Sequence, residues 1–321
     1  MTSLAALIAL FLDWRFGYPD ALQNRIGHPV QWMGALIDRL DQCANWPDDA
    51  PARRRTSGAA VLVILLVASV VPAFLIADVL DAFPYGWIAE GLLAAPFFAQ
   101  KSLSDAVAGV SAALETSLPD ARQAVAHIVG RDTDTLDKSG VARAAIESLA
   151  ENTSDGIVAP LFWFLLFGLP GIVAYKAINT ADSMLGHRNT RFADFGWASA
   201  RLDDLVNIIP SRLTALLFAA AALAMPKADP VGALSSALRD APRHASPNAG
   251  WPEAAMAGAL GITLGGARDY GGESLDLPKM GAGRTELTGE DIVWALILYR
   301  MAGLILTMLV AMHAFAVLSL A

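Results

Sequence analysis

Five short stretches of the sequence hold side chains that can bind phosphate, hold a cation or move a proton. In the first, Glu147 and Glu151 are four residues apart, hence on one helix face, and Asn152 and Asp155 follow. Paired carboxylates can take a proton from an amine, although with Arg143 at ion-pair spacing the plainer reading is a solvated helix. In the second, Lys176, Asn179 and Ser183 share a helical stripe, with Asp182 beside it and His187 beyond. This stripe ends an apolar block, where polar groups without partners cost several kcal/mol, so packing alone is a poor reason for it.

The third stretch is Arg201, Asp203, Asp204, Asn207 and Arg212. Adjacent aspartates beside an asparagine suit an oxygen-ligated Mg²⁺ that keeps several waters and bridges to a phosphate; the competing reading is an Arg–Asp network at a membrane boundary. The fourth runs through Arg243, His244, Ser246 and Asn248 to Glu253, a proline-rich loop with Pro252 placed to open a helix. Free N–H groups at that helix start suit a phosphate, with His244 and Asn248 adding hydrogen bonds. In the fifth, Asp13, Pro19 and His28-Pro29-Val30, His28 alone reads first as a capped structural histidine, and the nearby tryptophans as an interfacial belt.

These residues must be positioned by membrane helices. Of 321 residues, 55% are hydrophobic and 17% charged, with mean hydropathy +0.45, far from the composition of a soluble domain. Gly58 to Ala77 and Gly156 to Tyr175 contain no charge, and Met301 to Ala321 only His313, each long enough to cross a bilayer as a helix. Thr2 to Leu12 lacks a basic start and a cleavage site, so it is expected to be a retained helix. The single Cys43 excludes an internal disulfide framework, and the net charge of −8 argues against nucleic acid as partner.

Arg53-Arg54-Arg55 precedes the first span and acidic Asp78 to Pro84 follows it, which puts the arginines in the cytoplasm. Gly168-Leu169-Pro170-Gly171 breaks the second apolar block, and a re-entrant hairpin is preferred there because it keeps the flanking polar stretches on one side. The expected fold is all-α: a polytopic integral membrane helical bundle forming one domain over 1–321. Cytoplasmic polar segments are expected at about 13–57, 101–155, 176–204 and 227–291. No internal repeat supports a transporter. No Walker loop, dinucleotide fingerprint or nucleophile elbow is present, so a nucleotide must be held in some other way.

The strings Glu-Asn-Thr-Ser-Asp-Gly (151–156), Tyr-Lys-Ala-Ile-Asn-Thr-Ala-Asp-Ser-Met-Leu-Gly-His (175–187), Phe-Gly-Trp-Ala-Ser-Ala-Arg-Leu-Asp-Asp (195–204) and Ser-Pro-Asn-Ala-Gly-Trp-Pro-Glu (246–253) are long and rare. With Asp13, Pro19 and His28-Pro29-Val30 they make the chain resemble, from about residue 10 to residue 275, the cobalamin-biosynthesis family that contains adenosylcobinamide-phosphate synthase. The resemblance implies a multi-pass enzyme of the bacterial inner membrane with its site facing the cytoplasm. It implies ATP- and Mg²⁺-dependent amide ligation of (R)-1-amino-2-propanol O-phosphate, or aminopropanol, to a propionate carboxyl of adenosylcobyric acid. Other late-pathway membrane enzymes would be its neighbours.

The residues are compatible with that chemistry, and the resemblance assigns no individual roles. Glu147, Glu151, Lys176, His187 and His244 are the catalytic candidates. Asn152, Asn179, Ser183, Arg201, Asn207, Arg212, Arg243, Ser246, Asn248 and Glu253 are candidates for substrate or phosphate binding, and Asp182, Asp203, Asp204 and Asp155 for the metal. The competing readings are an intramembrane Mg²⁺-dependent phospho- or prenyltransferase and a non-enzymatic membrane sensor.

Overall fold

The computed structural model describes residues 1–130, 132–187, 189–270 and 273–320. Its first helices are α1 (Thr2–Phe16), α2 (Asp20–Ile26), α3 (Pro29–Ala44), α4 (Pro51–Asp81) and α5 (Gly86–Ala94). Next come α6 (Gln100–Thr116), α7 (Leu118–Ala126), α8 (Lys138–Thr153), α9 (Ala159–Leu185), α10 (Trp197–Val206) and α11 (Ile208–Ala222). The chain ends with α12 (Pro230–Asp240), α13 (Gly250–Leu260), strands β1 (Leu264–Tyr270) and β2 (Glu273–Met280), and α14 (Gly289–Leu320).

The expected all-α membrane bundle is what the chain forms. Among the described residues three helical runs, Pro51–Asp81, Lys138–Leu185 and Gly289–Leu320, are by length and composition apolar enough to cross a membrane, and the broken pair α10 and α11 makes a fourth if counted as one span. The helices fall into two compact units, one of Met1–Ala99, Ala159–Asn207 and Val310–Ala321, the other of Gln100–Val158 and Ile208–Leu309.

In the first unit, α9 does not run straight. Gly168 has φ 62° and ψ −152°, outside the helical region. A methyl group on Gly171 would lie 2.3 Å from the Trp163 carbonyl oxygen. Eight residues of straight helix separate two atoms by about 12 Å, so the chain has doubled back. The two arms also reach consecutive residues: Trp163 Nε1–H donates to Val206 O at 3.1 Å, and Tyr175 O–H to Asn207 Oδ1 at 3.0 Å. The expected hairpin is therefore present, with arms Ala159–Phe167 and Leu169–Leu185. Beside it, α4 passes so close that a methyl group on Gly58 would meet Phe195 O at 1.8 Å.

The second unit has a helical core in which Val107, Val110, Ile146, Leu149, Phe218 and Met256 are buried together. α13 packs through a small-residue face: a methyl group on Gly258 would lie 2.1 Å from Gly232 O on α12, leaving room for backbone contact only. The antiparallel pairing of β1 with β2, Leu264 opposite Met280, stands in a stretch read from sequence only as polar and glycine-rich. Gly265 there has φ 72° and faces Pro278 O, a place no side chain fits.

Candidate functional site

In the first unit the second arm of α9 and the helix α10 share a buried polar network. Asp203 is 9% exposed and each of its oxygens accepts a carboxamide N–H, Oδ1 from Asn179 at 3.4 Å and Oδ2 from Asn207 at 3.0 Å. Asn207 in turn accepts the Tyr175 hydroxyl, and both of these side chains are 1% exposed. The negative charges of Asp182 and Asp204 bear on Asp203. A carboxylate buried this deeply needs donors on both oxygens, and two helices each supply one. Thus Asn179, Asp203 and Asn207, picked from sequence, come together; Tyr175, which completes them, was noted only as the start of a polar string.

The remaining candidates of this unit make other contacts. Ser183 Oγ–H donates to the Asn179 carbonyl at 2.9 Å, Lys176 Nζ lies 5.9 Å from the centre of the Tyr175 ring, and His187 stands beside Phe192. Arg201, Ser183 and His187 are exposed, Lys176, Asp182 and Asp204 half-buried. His28 caps α3 as expected: its Nδ1 accepts the Val30 N–H at 3.2 Å, and Gln31 Oε1 accepts the His28 N–H at 3.0 Å. Burial, and then the charge of Lys176, hold its imidazole below the ordinary histidine value, outweighing the Pro96 carbonyl that favours the proton.

The linker joining α9 to α10 is tied to the start of α4. Arg54 is buried, and its guanidinium donates to Thr190 O at 3.1 Å, to Arg191 O, and to Asn45 Oδ1 at 3.0 Å. Arg55 Nε meets Asp194 Oδ1 at 2.9 Å, and Arg191 pairs with the buried Asp41. A methyl group on Gly196 would lie 1.7 Å from Leu185 O, so the end of α9 and the start of α10 touch. Sequence reasoning took Arg53 to Arg55 as a topological signal and missed that one of them is a clamp.

In the second unit Glu147 is buried and its Oε1 accepts the Gly265 N–H at 2.6 Å, holding the first strand. Asn152 Nδ2–H donates to Ser148 O at 2.9 Å, Glu151 is exposed, and Asp155 lies in a π-turn, Ser154–Val158. Around the loop before α13, Arg212 donates to Asn248 Oδ1 at 3.0 Å and to Pro247 O at 3.3 Å, with its guanidinium 4.5 Å from the Trp251 ring centre. Ser246 Oγ accepts the N–H groups of Asn248 and Ala249, each at 3.2 Å. Those two N–H groups at the mouth of α13, where a phosphate was expected, are thus already met. His244 Nδ1 accepts the Ser246 N–H at 3.0 Å, and its Nε2 stands 3.7 Å from Glu253 Oε1. Arg243 is exposed beside Asp240. Burial pushes Asp240 up, but Arg239, the Gly281 N–H and Arg243 together hold it below the usual carboxylate range.

Among the described residues, no three His, Cys, Asp or Glu side chains stand close enough to hold a metal ion by themselves. Asp182, Asp203 and Asp204 are therefore not a closed three-ligand metal cage.

A family model described as CobD/Cbib protein matches residues 6–299. The chain belongs to this family. "Cobalamin biosynthesis protein CobD" of Rhodobacter capsulatus is 49% identical over 309 residues, 96% of each chain. The protein of the same name from Rhizobium meliloti is 45% identical over 319 residues, 98% of each chain. That from Brucella suis is 49% identical over 297 residues, 91% of this chain and 90% of its own. No solved structure matches. The family match takes in every candidate residue of both units and stops within α14, so the resemblance drawn from the four long strings is borne out.

Proposed function

We propose that the chain acts in cobalamin biosynthesis as an ATP-dependent acid–amine ligase. It would join (R)-1-amino-2-propanol O-phosphate, or aminopropanol, to the propionate carboxyl of adenosylcobyric acid, giving adenosylcobinamide phosphate. Membership of the CobD/CbiB family supports the pathway. The observation that carries the site is the buried network Tyr175–Asn207–Asp203–Asn179, three of whose four residues lie in two of the family-like strings.

In this reading Mg²⁺-ATP supplies the phosphate that turns the carboxylate oxygen into a leaving group. Mg²⁺ commonly takes one or two protein carboxylates, with waters and phosphate oxygens filling the rest, so a nucleotide-borne ion needs no three-residue cage. Asp182 and Asp204, half-buried beside Asp203, would offer oxygens to it, and Asp203 would be the fixed member. Lys176 and the exposed Arg201 would face phosphate charge. The attacking amine must lose a proton; in the first unit the exposed His187 can pass it on, whereas Glu147 of the second unit is occupied with Gly265. Within the second unit's own loop Arg243 is exposed, whereas Arg212 is engaged with Asn248 and Pro247, so Arg243 is the better phosphate candidate of the two.

A cytoplasm-facing site is supported by Arg54 and Arg55, which hold the linker after Ser183 against the basic start of α4; basic residues flanking a span favour the cytoplasm. The test is nucleotide turnover by detergent-purified protein. ADP and phosphate should form only when cobyric acid and the amine are both present, in step with amide formation. Consumption of a lipid diphosphate without ATP would establish the transferase reading instead.

A further inference from the structure

Glu90 is a carboxylate within the apolar stretch 87–100, and the reaction proposed above gives it no part. Its Oε1 accepts the Leu169 N–H at 3.0 Å. Leu169 follows Gly168, where the chain reverses, and so opens the second arm of α9, whose first N–H groups have no helical partner. The fit is close: a methyl group on Gly168 would lie 2.8 Å from the same carboxylate oxygen. Glu90 is itself held in place. Methyl groups on Gly86 and Gly91 would lie 1.9 Å from Leu80 O and 2.6 Å from Ala5 O, so α5 is in close backbone contact with its neighbours.

From Leu169 the arm runs unbroken to Leu185. Tyr175 and Asn179 lie about 9 and 15 Å further along its axis, at the usual helical rise. Fixing the first turn of so short a helix fixes the depth and rotation of the face that carries both. We propose that Glu90 is a positioning residue: by capping the arm at the hairpin apex it sets Tyr175 and Asn179 against Asn207 and Asp203. The structural part stands by itself, and only its kinetic consequence rests on the proposed ligation.

The test uses the full chain with Cys43→Ser, so that a single reporter, Thr180→Cys, reports the arm's rotation; Thr180 is 9% exposed. Glu90→Ala, and Glu90→Asp, which is too short to reach Leu169, should speed maleimide labelling at position 180 roughly tenfold, the scale of a lost cap. Glu90→Gln keeps an acceptor oxygen and should label like the parent. In a chain that keeps Thr180, kcat for ligation should fall in the same order. Fast labelling in Glu90→Gln, or slow labelling in Glu90→Asp, overturns the proposal, as does faster labelling with kcat unchanged. If Glu90→Ala is not recovered folded, the Gln and Asp variants make the same comparison. Labelling is read without substrate, so the expected labelling order in a parent that ligates nothing would refute the reaction and not the cap.

Discussion

Asn207 is bonded to Asp203 twice: its backbone N–H donates to the Asp203 carbonyl at 3.1 Å, and its side-chain N–H to Asp203 Oδ2 at 3.0 Å. One residue thus closes the end of α10 and serves a buried carboxylate, while its own Oδ1 accepts Tyr175. Asn207→Ala would leave Asp203 and Tyr175 each short of a partner. At about 1–3 kcal/mol for each unmet buried group, ligation should fall roughly a hundredfold or more. Tyr175→Phe removes one donor and leaves Asp203 served, so roughly a tenfold loss or less is expected. Corrinoid-dependent ADP release measures both; equal losses would mean that Tyr175 acts on substrate directly.

The adjacent arginines before the first span should behave differently. Arg54 is buried and ties Asn45, Thr190 and Arg191 together, whereas Arg53 is largely solvent-exposed and pairs with Asp49 one turn back. Arg54→Ala should cost about 3 kcal/mol or more, as expected when several buried charge-assisted bonds are lost, and Arg53→Ala less than about 1 kcal/mol. Thermal unfolding in detergent measures the difference, and limited proteolysis should show the 189–196 linker cut first in Arg54→Ala. An Arg53 variant as unstable as the Arg54 variant would count against the clamp.

His28 makes stability depend on pH with a definite sign. Burial, then Lys176, hold the folded imidazole below its ordinary value of 6.5. The unfolded chain therefore binds the proton first as pH falls, and stability drops with it. The contribution is complete above about pH 6.5 and lost as pH falls through the folded value. The thermal midpoint should fall between about pH 7.5 and 5, and fall less in His28→Asn, which keeps a capping acceptor and does not titrate. Identical pH profiles would assign the drop to another group.

What could be read from the chain alone is what local pattern encodes. Charge-free blocks reveal α4 and α14, Gly168-Leu169-Pro170-Gly171 reveals the hairpin, and His28 before Pro29 reveals a capped helix start. Asn179, Asp203 and Asn207 were legible as a site because carboxamides and carboxylates at a membrane boundary need a reason to be there. The clamp by Arg54, the cap by Glu90 and the bond from Glu147 to Gly265 join residues roughly 80 to 140 positions apart, and such pairing leaves no periodic trace. The Ser246 cap was missed for another reason: a serine just before a helix can serve its own backbone or a phosphate, and only the folded loop decides.

The metal is the last point open to experiment. Both oxygens of Asp203 accept carboxamide N–H groups, which aims its remaining lone pairs, while Asp182 and Asp204 are half-buried and reachable. Three carboxylates near one another repel, and a divalent ion bound with the nucleotide would offset that repulsion. Asn at any of the three keeps volume and removes one charge, so each variant should fold and need more Mg²⁺ for half-maximal ligation, roughly three- to tenfold more for one lost carboxylate. Asp203→Asn should in addition lower the rate at saturating Mg²⁺, because an amide in its place must turn a donor toward Asn179 or Asn207. Mg²⁺ titration of each variant at fixed ATP separates the two effects. Wild-type midpoints and rates in all three would place the ion elsewhere, with Glu151 and Asp155 next in line because Glu147 is committed to Gly265.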